Sequence, residues 1–200
     1  MRKKVLGIIG SYRKGGTIDL LVTEVLAAAQ EDGADVEKIY LTDKQIEFCN
    51  NCRICTQEAG DEPGICIHKD DMAGIMEEWK KADGIVIGSP VNFYNITAVT
   101  RRFMERLIGF AYWPWGKHGP QMRIKPGKKK AVVVTASAMP VFIGYFFTGA
   151  LRALKMIATT MGAKPVASVY IGMTAQEKQA VLSEKDIRKA RAAGKKLVRD

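Results

Sequence analysis

Apolar runs of strand length alternate with segments of helical period along the whole chain. Val5 to Ile9 is a short continuous apolar run and predicts a buried strand. Ile18 to Ala29 places apolar residues at helical spacing, and Val36 to Leu41 alternates like a strand. Asp71 opens a helix through about Lys81, with acidic residues suited to its first turn. Gly84 to Gly88 predicts another apolar strand, which Ser89-Pro90 stops, and Thr97 to Ile108 has the spacing of a helix. Lys130 to Thr135 is a strongly β-branched strand. Tyr145 to Met161 predicts one helix, ended by Gly162 as its C-cap, and Val166 to Ile171 a last strand. Ser183 caps a final helix that runs to the C-terminus.

Such alternation predicts βαβ units, and hence a parallel sheet with helices on both faces. Five strands in this arrangement match the doubly wound, flavodoxin-like α/β fold in three layers, with strand order 2-1-3-4-5. The near-continuous apolar character of the first, third and fourth strands agrees, since central parallel strands are buried on both faces. One domain over 1–200 is expected, with neither repeat nor linker. Two stretches, about 42–69 and 110–128, exceed ordinary loop length, which marks them as functional or mobile.

Composition narrows the class. The chain is 47% hydrophobic and 26% charged, as in a globular protein. Its first apolar run is too short for a signal peptide and no window has the apolar length of a membrane helix. A cytoplasmic location is therefore expected, with no membrane partner. The formal charge of +10 favours phosphate-bearing small molecules and acidic redox partners. No zinc-finger histidine pair, RNP-like aromatic motif or recognition helix points to nucleic acid.

Two loops carry chemistry suited to a nucleotide. Gly10-Ser11-Tyr12-Arg13-Lys14-Gly15-Gly16-Thr17 follows the first strand and opens the first helix. A glycine-rich turn there exposes N–H groups at a helix N-terminus, a phosphate site by its chemistry. Gly10 and Gly15 have the P-loop separation and Thr17 is in place, but Gly16 stands where a P-loop needs lysine, and GxGxxG is absent. Ser89, Pro90, Val91, Asn92, Phe93, Tyr94 and Asn95 follow the third strand. In order 2-1-3-4-5 the two loops face each other across the switch point, where open α/β sheets bind ligands. Asn92, Phe93 and Tyr94 supply aromatic surface and hydrogen bonds for a flat heterocycle.

Read in order, G-S-x-R-K-G-G, C-x2-C-x2-C with a later C-x3-D-D-M, G-S-P-V-x-F-Y and R-R-F-M-E-R resemble the NADPH-dependent FMN reductase and iron–sulfur flavoprotein group. The resemblance implies non-covalently bound FMN, NAD(P)H as co-substrate, and a homodimer or homotetramer. It implies that Ser11, Arg13, Gly16 and Thr17 hold the phosphate, with Lys14 and Gly15 in the same loop. It implies that Pro90 to Asn95 line the isoalloxazine, and that Thr135, Ala136 and Ser137 form a third flavin-contacting loop. The common family form has proline where this chain has Tyr12, asparagine at Thr17, threonine at Ile18 and tyrosine at Asn92.

The chain has four cysteines, Cys49, Cys52, Cys55 and Cys66, the last after a gap of ten residues. They suit a [4Fe–4S] cluster, zinc, or free thiols with an occasional disulfide. Gly60, Pro63 and Gly64 permit a loop that folds Cys66 back, and Asp70-Asp71 caps the next helix. His68 and His118 are read as surface or hydrogen-bonded residues, so no catalytic side chain is assigned. Trp113-Pro114-Trp115-Gly116 is read as a flavin cover or subunit contact rather than local packing. The expected function is transfer of electrons from NAD(P)H through FMN to an acceptor, by way of the cluster if one is present. The alternatives are a non-enzymatic electron carrier between ferredoxin-like partners, and a zinc-stapled nucleotide-binding module.

Overall fold

The computed structural model describes residues 2–176 and 179–199. In chain order its elements are β1 (Lys4–Ile9), α1 (Thr17–Glu31), β2 (Asp35–Tyr40), α2 (Met72–Lys81), β3 (Gly84–Pro90) and α3 (Ala98–Arg106). There follow the short strands β4 (Ala111–Tyr112) and β5 (Gln121–Met122), then β6 (Lys129–Ala136), α4 (Val141–Phe147), α5 (Ala150–Thr160), β7 (Ala163–Ile171) and α6 (Glu184–Val198). The main sheet is parallel in the order β2-β1-β3-β6-β7. With its strands counted alone this is the order 2-1-3-4-5, reversing between β1 and β3. The β4–β5 pair is a separate antiparallel ribbon.

Strand side chains alternate between two apolar cores, as the two-residue period of a strand requires. Leu6, Ile8, Ile85, Ile87 and Val133 pack with α2, α3 and α5 on one face. Val5, Ile9, Val86, Val132 and Val134 pack with α1 and α6 on the other. Burial of one such side chain contributes about 1.5–3 kcal/mol. Pro165 cannot donate to a ladder, and it sits on β7 at the edge of the sheet, where the register shifts between Ala131 and Val132. The strand begins at Ala163, earlier than the β-branched pattern indicates.

Several boundaries differ from expectation for physical reasons. The helix expected over 145–161 is two helices, α4 and α5, bent by 62°. Thr148 is extended, and Gly149 N–H donates to Tyr94 O at 2.7 Å instead of continuing the helix. Ser89-Pro90 does not stop β3, whose pairing continues to Pro90 opposite Ala136. The helix expected to Ile108 ends at Arg106 and tightens into a 3-10 turn over Leu107–Phe110. Gly162, just past α5, has φ +74°, and Ser183 Oγ accepts from Asp186 N–H, so both caps are as expected. Among the described residues no single helix is long and apolar enough to cross a membrane.

Candidate functional site

At the switch point the Gly10–Thr17 and Pro90–Asn95 loops are tied together through the start of α3. Gly10 N–H donates to Gly88 O at 2.8 Å. Gly10 O in turn accepts from Thr97 Oγ1 at 2.7 Å and Thr100 Oγ1 at 3.1 Å. No side chain fits at Gly10, because a Cβ there would stand 1.8 Å from Thr100 Oγ1. Thr97 also caps α3, accepting from Thr100 N–H. Tyr12, where the family form has proline, accepts from Val99 N–H and so caps the same helix from across the gap.

Below the first loop lies Asp19, which sequence reasoning missed. Its buried carboxylate accepts from Gly15 N–H at 2.7 Å, Lys38 Nζ at 2.8 Å and Tyr40 Oη at 3.0 Å. Burial opposes its charge, but the donors of Lys38, Gly15 and Tyr40 prevail and hold its carboxyl below the usual range. Gly15 has φ +70°, which glycine adopts without strain. Lys14 is spent on an ion pair with Asp43 at 2.7 Å, over the Tyr40 ring. Ser11 Oγ accepts from Arg13 N–H, and Gly16 and Thr17 begin α1. The first amides of α1 have no intrahelical acceptor and favour an anion. The only sequence signal for Asp19 is an acid in the first turn after two glycines.

The second loop is a tight turn. Asn92 N–H donates to Asn95 O at 2.7 Å and Asn95 N–H to Asn92 O at 2.9 Å. The two residues between, Phe93 at φ 45° and Tyr94 at φ 62°, are both left-handed, as a type I′ turn requires. Bulky residues there are strained, and Phe93 is 101% exposed, so packing does not account for it. Ser89 is buried, its oxygen accepting from Thr97 N–H. Val91 N–H donates to Ala136 O at 2.8 Å, which brings the third expected loop alongside. There Ser137 Oγ donates to Met139 O, while Thr135 Oγ1 is buried with no hydrogen-bond partner among the described residues. The glycine cradle, the orphaned hydroxyl and the strained aromatic turn fit FMN.

The cysteine loop lies along the other end of α3. Cys49, Cys52, Cys55 and Cys66 are free and half-buried. Burial pushes the Cys55 thiol up, and Cys66, Cys49 and Cys52 add to this in that order, so the other three stand within electrostatic reach of it. Among the described residues, however, no three His, Cys, Asp or Glu side chains are spaced to share a metal ion. By donor chemistry alone, four soft sulfurs in one segment match a cluster or zinc. Asn51 and Arg53, on either side of Cys52, have φ 55° and 61°, further strain in non-glycine residues.

Glycine permits the fold-back of Cys66. A Cβ on Gly64 would stand 1.8 Å from Cys55 O, and Gly64 N–H donates to Gly109 O at 2.8 Å. Arg123 donates to the carbonyls of Cys55, Glu58, Gly60 and Gly109. Asp70 and Asp71 do more than start α2: Asp71 accepts from Gln45 N–H and Asp70 from Glu47 N–H, while only Asp70 reaches Met72 N–H. The Trp loop meets the cysteine segment through Arg53, and Trp115 remains 67% exposed. Trp113 and Trp115 sandwich the Arg53 guanidinium at 4.0 and 4.1 Å, and Trp113 N–H donates to Thr56 O.

A doubly wound sheet with phosphate and aromatic loops facing each other at its switch point defines a flavodoxin-like flavin-binding fold. Residues 3–186 match the NADPH-dependent FMN reductase family, and the chain belongs to that family. It is 42% identical over 103 residues to an iron-sulfur flavoprotein of Methanocaldococcus jannaschii, covering 52% of this chain and 51% of that protein. An iron-sulfur flavoprotein of Archaeoglobus fulgidus is 30% identical over 129 residues, 64% of this chain and 56% of that protein. The chain thus spans about half the length of the curated relatives it matches. In fold it is similar to an FMN-dependent NADH-azoreductase of Bacillus anthracis in complex with FMN, with TM-score 0.70, 15% identity, and 98% of this chain and 100% of that one covered. It is also similar to an NAD(P)H:quinone oxidoreductase of Methanothermobacter marburgensis, with TM-score 0.69, 17% identity, and 98% and 100% covered.

Proposed function

We propose that this chain is an FMN-dependent NAD(P)H oxidoreductase whose cysteine loop holds a [4Fe–4S] cluster between the flavin and an electron acceptor. The observation that carries this is the juxtaposition, through Thr97 and Thr100, of the Gly10–Thr17 loop with the strained, exposed Phe93–Tyr94 turn. Ser11, Arg13, Gly16, Thr17 and the first amides of α1 hold the phosphate. Asp19 acts from below, fixing Gly15. Pro90 to Asn95 and Thr135 to Ser137 line the ring, with Thr135 Oγ1 as a free hydrogen-bonding group. FMN, when bound, supplies the hydride and single-electron chemistry, so the protein's part is position, electrostatics and exclusion of water.

Cys49, Cys52, Cys55 and Cys66 hold the cluster, for which their side chains must close further than they stand. α3 links the two sites: from Ala98 beside the flavin loops to Arg106 beside the cysteines is about 12 Å at 1.5 Å per residue. The exposed aromatics of α4, Phe142, Phe146 and Phe147, support a homodimer or homotetramer. The curated relatives are named for their redox groups alone, which favours a second function, an electron carrier with ferredoxin-like partners and no pyridine nucleotide site.

Anaerobic purification with FMN, iron and sulfide counts tests the proposal, together with NAD(P)H oxidation against free flavin and quinones. Bound FMN and pyridine nucleotide turnover are expected. Flavin and iron without turnover favour the carrier. A chain that neither retains FMN nor takes it up on reconstitution overturns the proposal.

A further inference from the structure

Arg106 closes α3 with its side chain 1% exposed, paired with Asp70 at 5%. Both terminal nitrogens of the guanidinium engage the Asp70 carboxylate, and Nη1 also donates to Glu47 O at 2.9 Å. Asp70 Oδ2 accepts from Glu47 N–H at 2.8 Å. Glu47 stands two residues before Cys49, and Asp70 four after Cys66. One ion pair therefore fastens both ends of the cysteine segment. Burial opposes charge on both groups, and their mutual hydrogen bonds outweigh it.

A purely mechanical strap needs no charge. Apolar residues of similar volume commonly replace a buried ion pair without loss of stability. A buried donor left without a partner is a further cost, and among the described residues Arg106 Nε is one. Both features are explained by what lies beside the guanidinium. Cys66 acts on it electrostatically, and the two residues line one cavity of ≈ 200 Å³. Asp70 spends its carboxylate oxygens on the amides of Glu47 and Met72 as well as on Arg106. The pair is buried, and its guanidinium is the member on which Cys66 acts.

We propose that Arg106 is a positioning residue that sets Cys66 for cluster binding and raises the reduction potential at the four sulfurs, with Asp70 as its anchor. This rests on the cysteine loop holding a cluster. Four thiolates make the site anionic, and each electron it accepts adds negative charge with no bond made or broken. A fixed cation in a low-dielectric setting favours the more negative state. Nε is the donor left for sulfur.

The test compares the chain as purified anaerobically with a neutral double variant, Asp70→Asn with Arg106→Gln, and with Arg106→Lys. Iron and sulfide per chain, FMN content and the potential from an EPR-monitored titration are measured. The double variant is expected to keep FMN and to show a potential lower by about 59 mV, a tenfold change for a one-electron couple. Arg106→Lys is expected to recover part of that shift. Full iron content with an unshifted potential overturns the role of Arg106 and leaves only a strap. Where the double variant fails to fold, an apolar pair of similar volume, Asp70→Leu with Arg106→Met, decides: full iron content with a potential identical to the parent overturns the proposal. A parent chain that takes no iron overturns the cluster and this proposal together, whereas iron with no shift overturns this proposal alone.

Discussion

Thr97 Oγ1 donates to the carbonyl of Gly10 across 2.7 Å, joining residues 87 positions apart at the point where the sheet reverses. The same hydroxyl oxygen accepts from Thr100 N–H, so one side chain both starts α3 and fixes the phosphate loop. Thr97→Val keeps the shape and removes both functions. It is expected to cost about 1–3 kcal/mol in denaturant unfolding, since buried polar groups lose their partner. FMN affinity, read by quenching of flavin fluorescence, is expected to fall, and Thr97→Ser to restore most of it.

Phe93 gives the opposite combination. It is left-handed and fully exposed, so the fold gains nothing from its ring. Asparagine tolerates that backbone region far better. Phe93→Asn is expected to stabilise the chain by about 1 kcal/mol, by release of left-handed strain, and at the same time to weaken FMN retention. Loss of stability together with unchanged FMN binding would show that the aromatic turn serves folding and not the ligand.

Gly64→Ala tests the cysteine loop apart from the flavin loops. The added Cβ meets Cys55 O at 1.8 Å, and backbone must move to make room. A cost of about 1–3 kcal/mol is expected, as for overpacking in general. Iron content after reconstitution is expected to collapse while FMN content stays at the parent level.

Acid should unfold the chain through Asp19 and Asp70. Both carboxyls lie below their usual value when folded, so the unfolded chain takes up protons first as pH falls. Their stabilisation is complete above the ordinary carboxylate value of about 4 and is lost as pH falls through the folded values. Melting temperature is expected to drop steeply below about pH 4, and Asp19→Asn to flatten that part of the curve.

The sheet was legible because buried parallel strands leave continuous apolar runs and because their order follows from βαβ alternation. The phosphate and aromatic loops were legible as motifs next to strand ends. Other features depend on contacts between distant residues, which no local pattern encodes. The break at Gly149 exists because Tyr94, in another loop, accepts its N–H. Asp19 looks like an ordinary first-turn acid until Gly15, Lys38 and Tyr40 are found on it. Arg106 enters the sequence only as the last residue of R-R-F-M-E-R, and Asp70 as a helix cap, until the fold brings the two together. Nothing local to the Trp pair announces Arg53, whose guanidinium lies 4.0 and 4.1 Å from the two rings.

The cysteine loop is held by Arg106, Gly109 and Arg123, all of which come after it in the chain. On a ribosome adding about 5–20 residues per second, the thiols emerge several seconds before the residues that shape their site. During that interval Cys49, Cys52, Cys55 and Cys66 have no enclosing structure and are open to oxidation or to stray metal. On the cluster reading, metal delivered in that interval would meet an unformed pocket, so loading of the site belongs after Arg123 has emerged and docked, under reducing conditions.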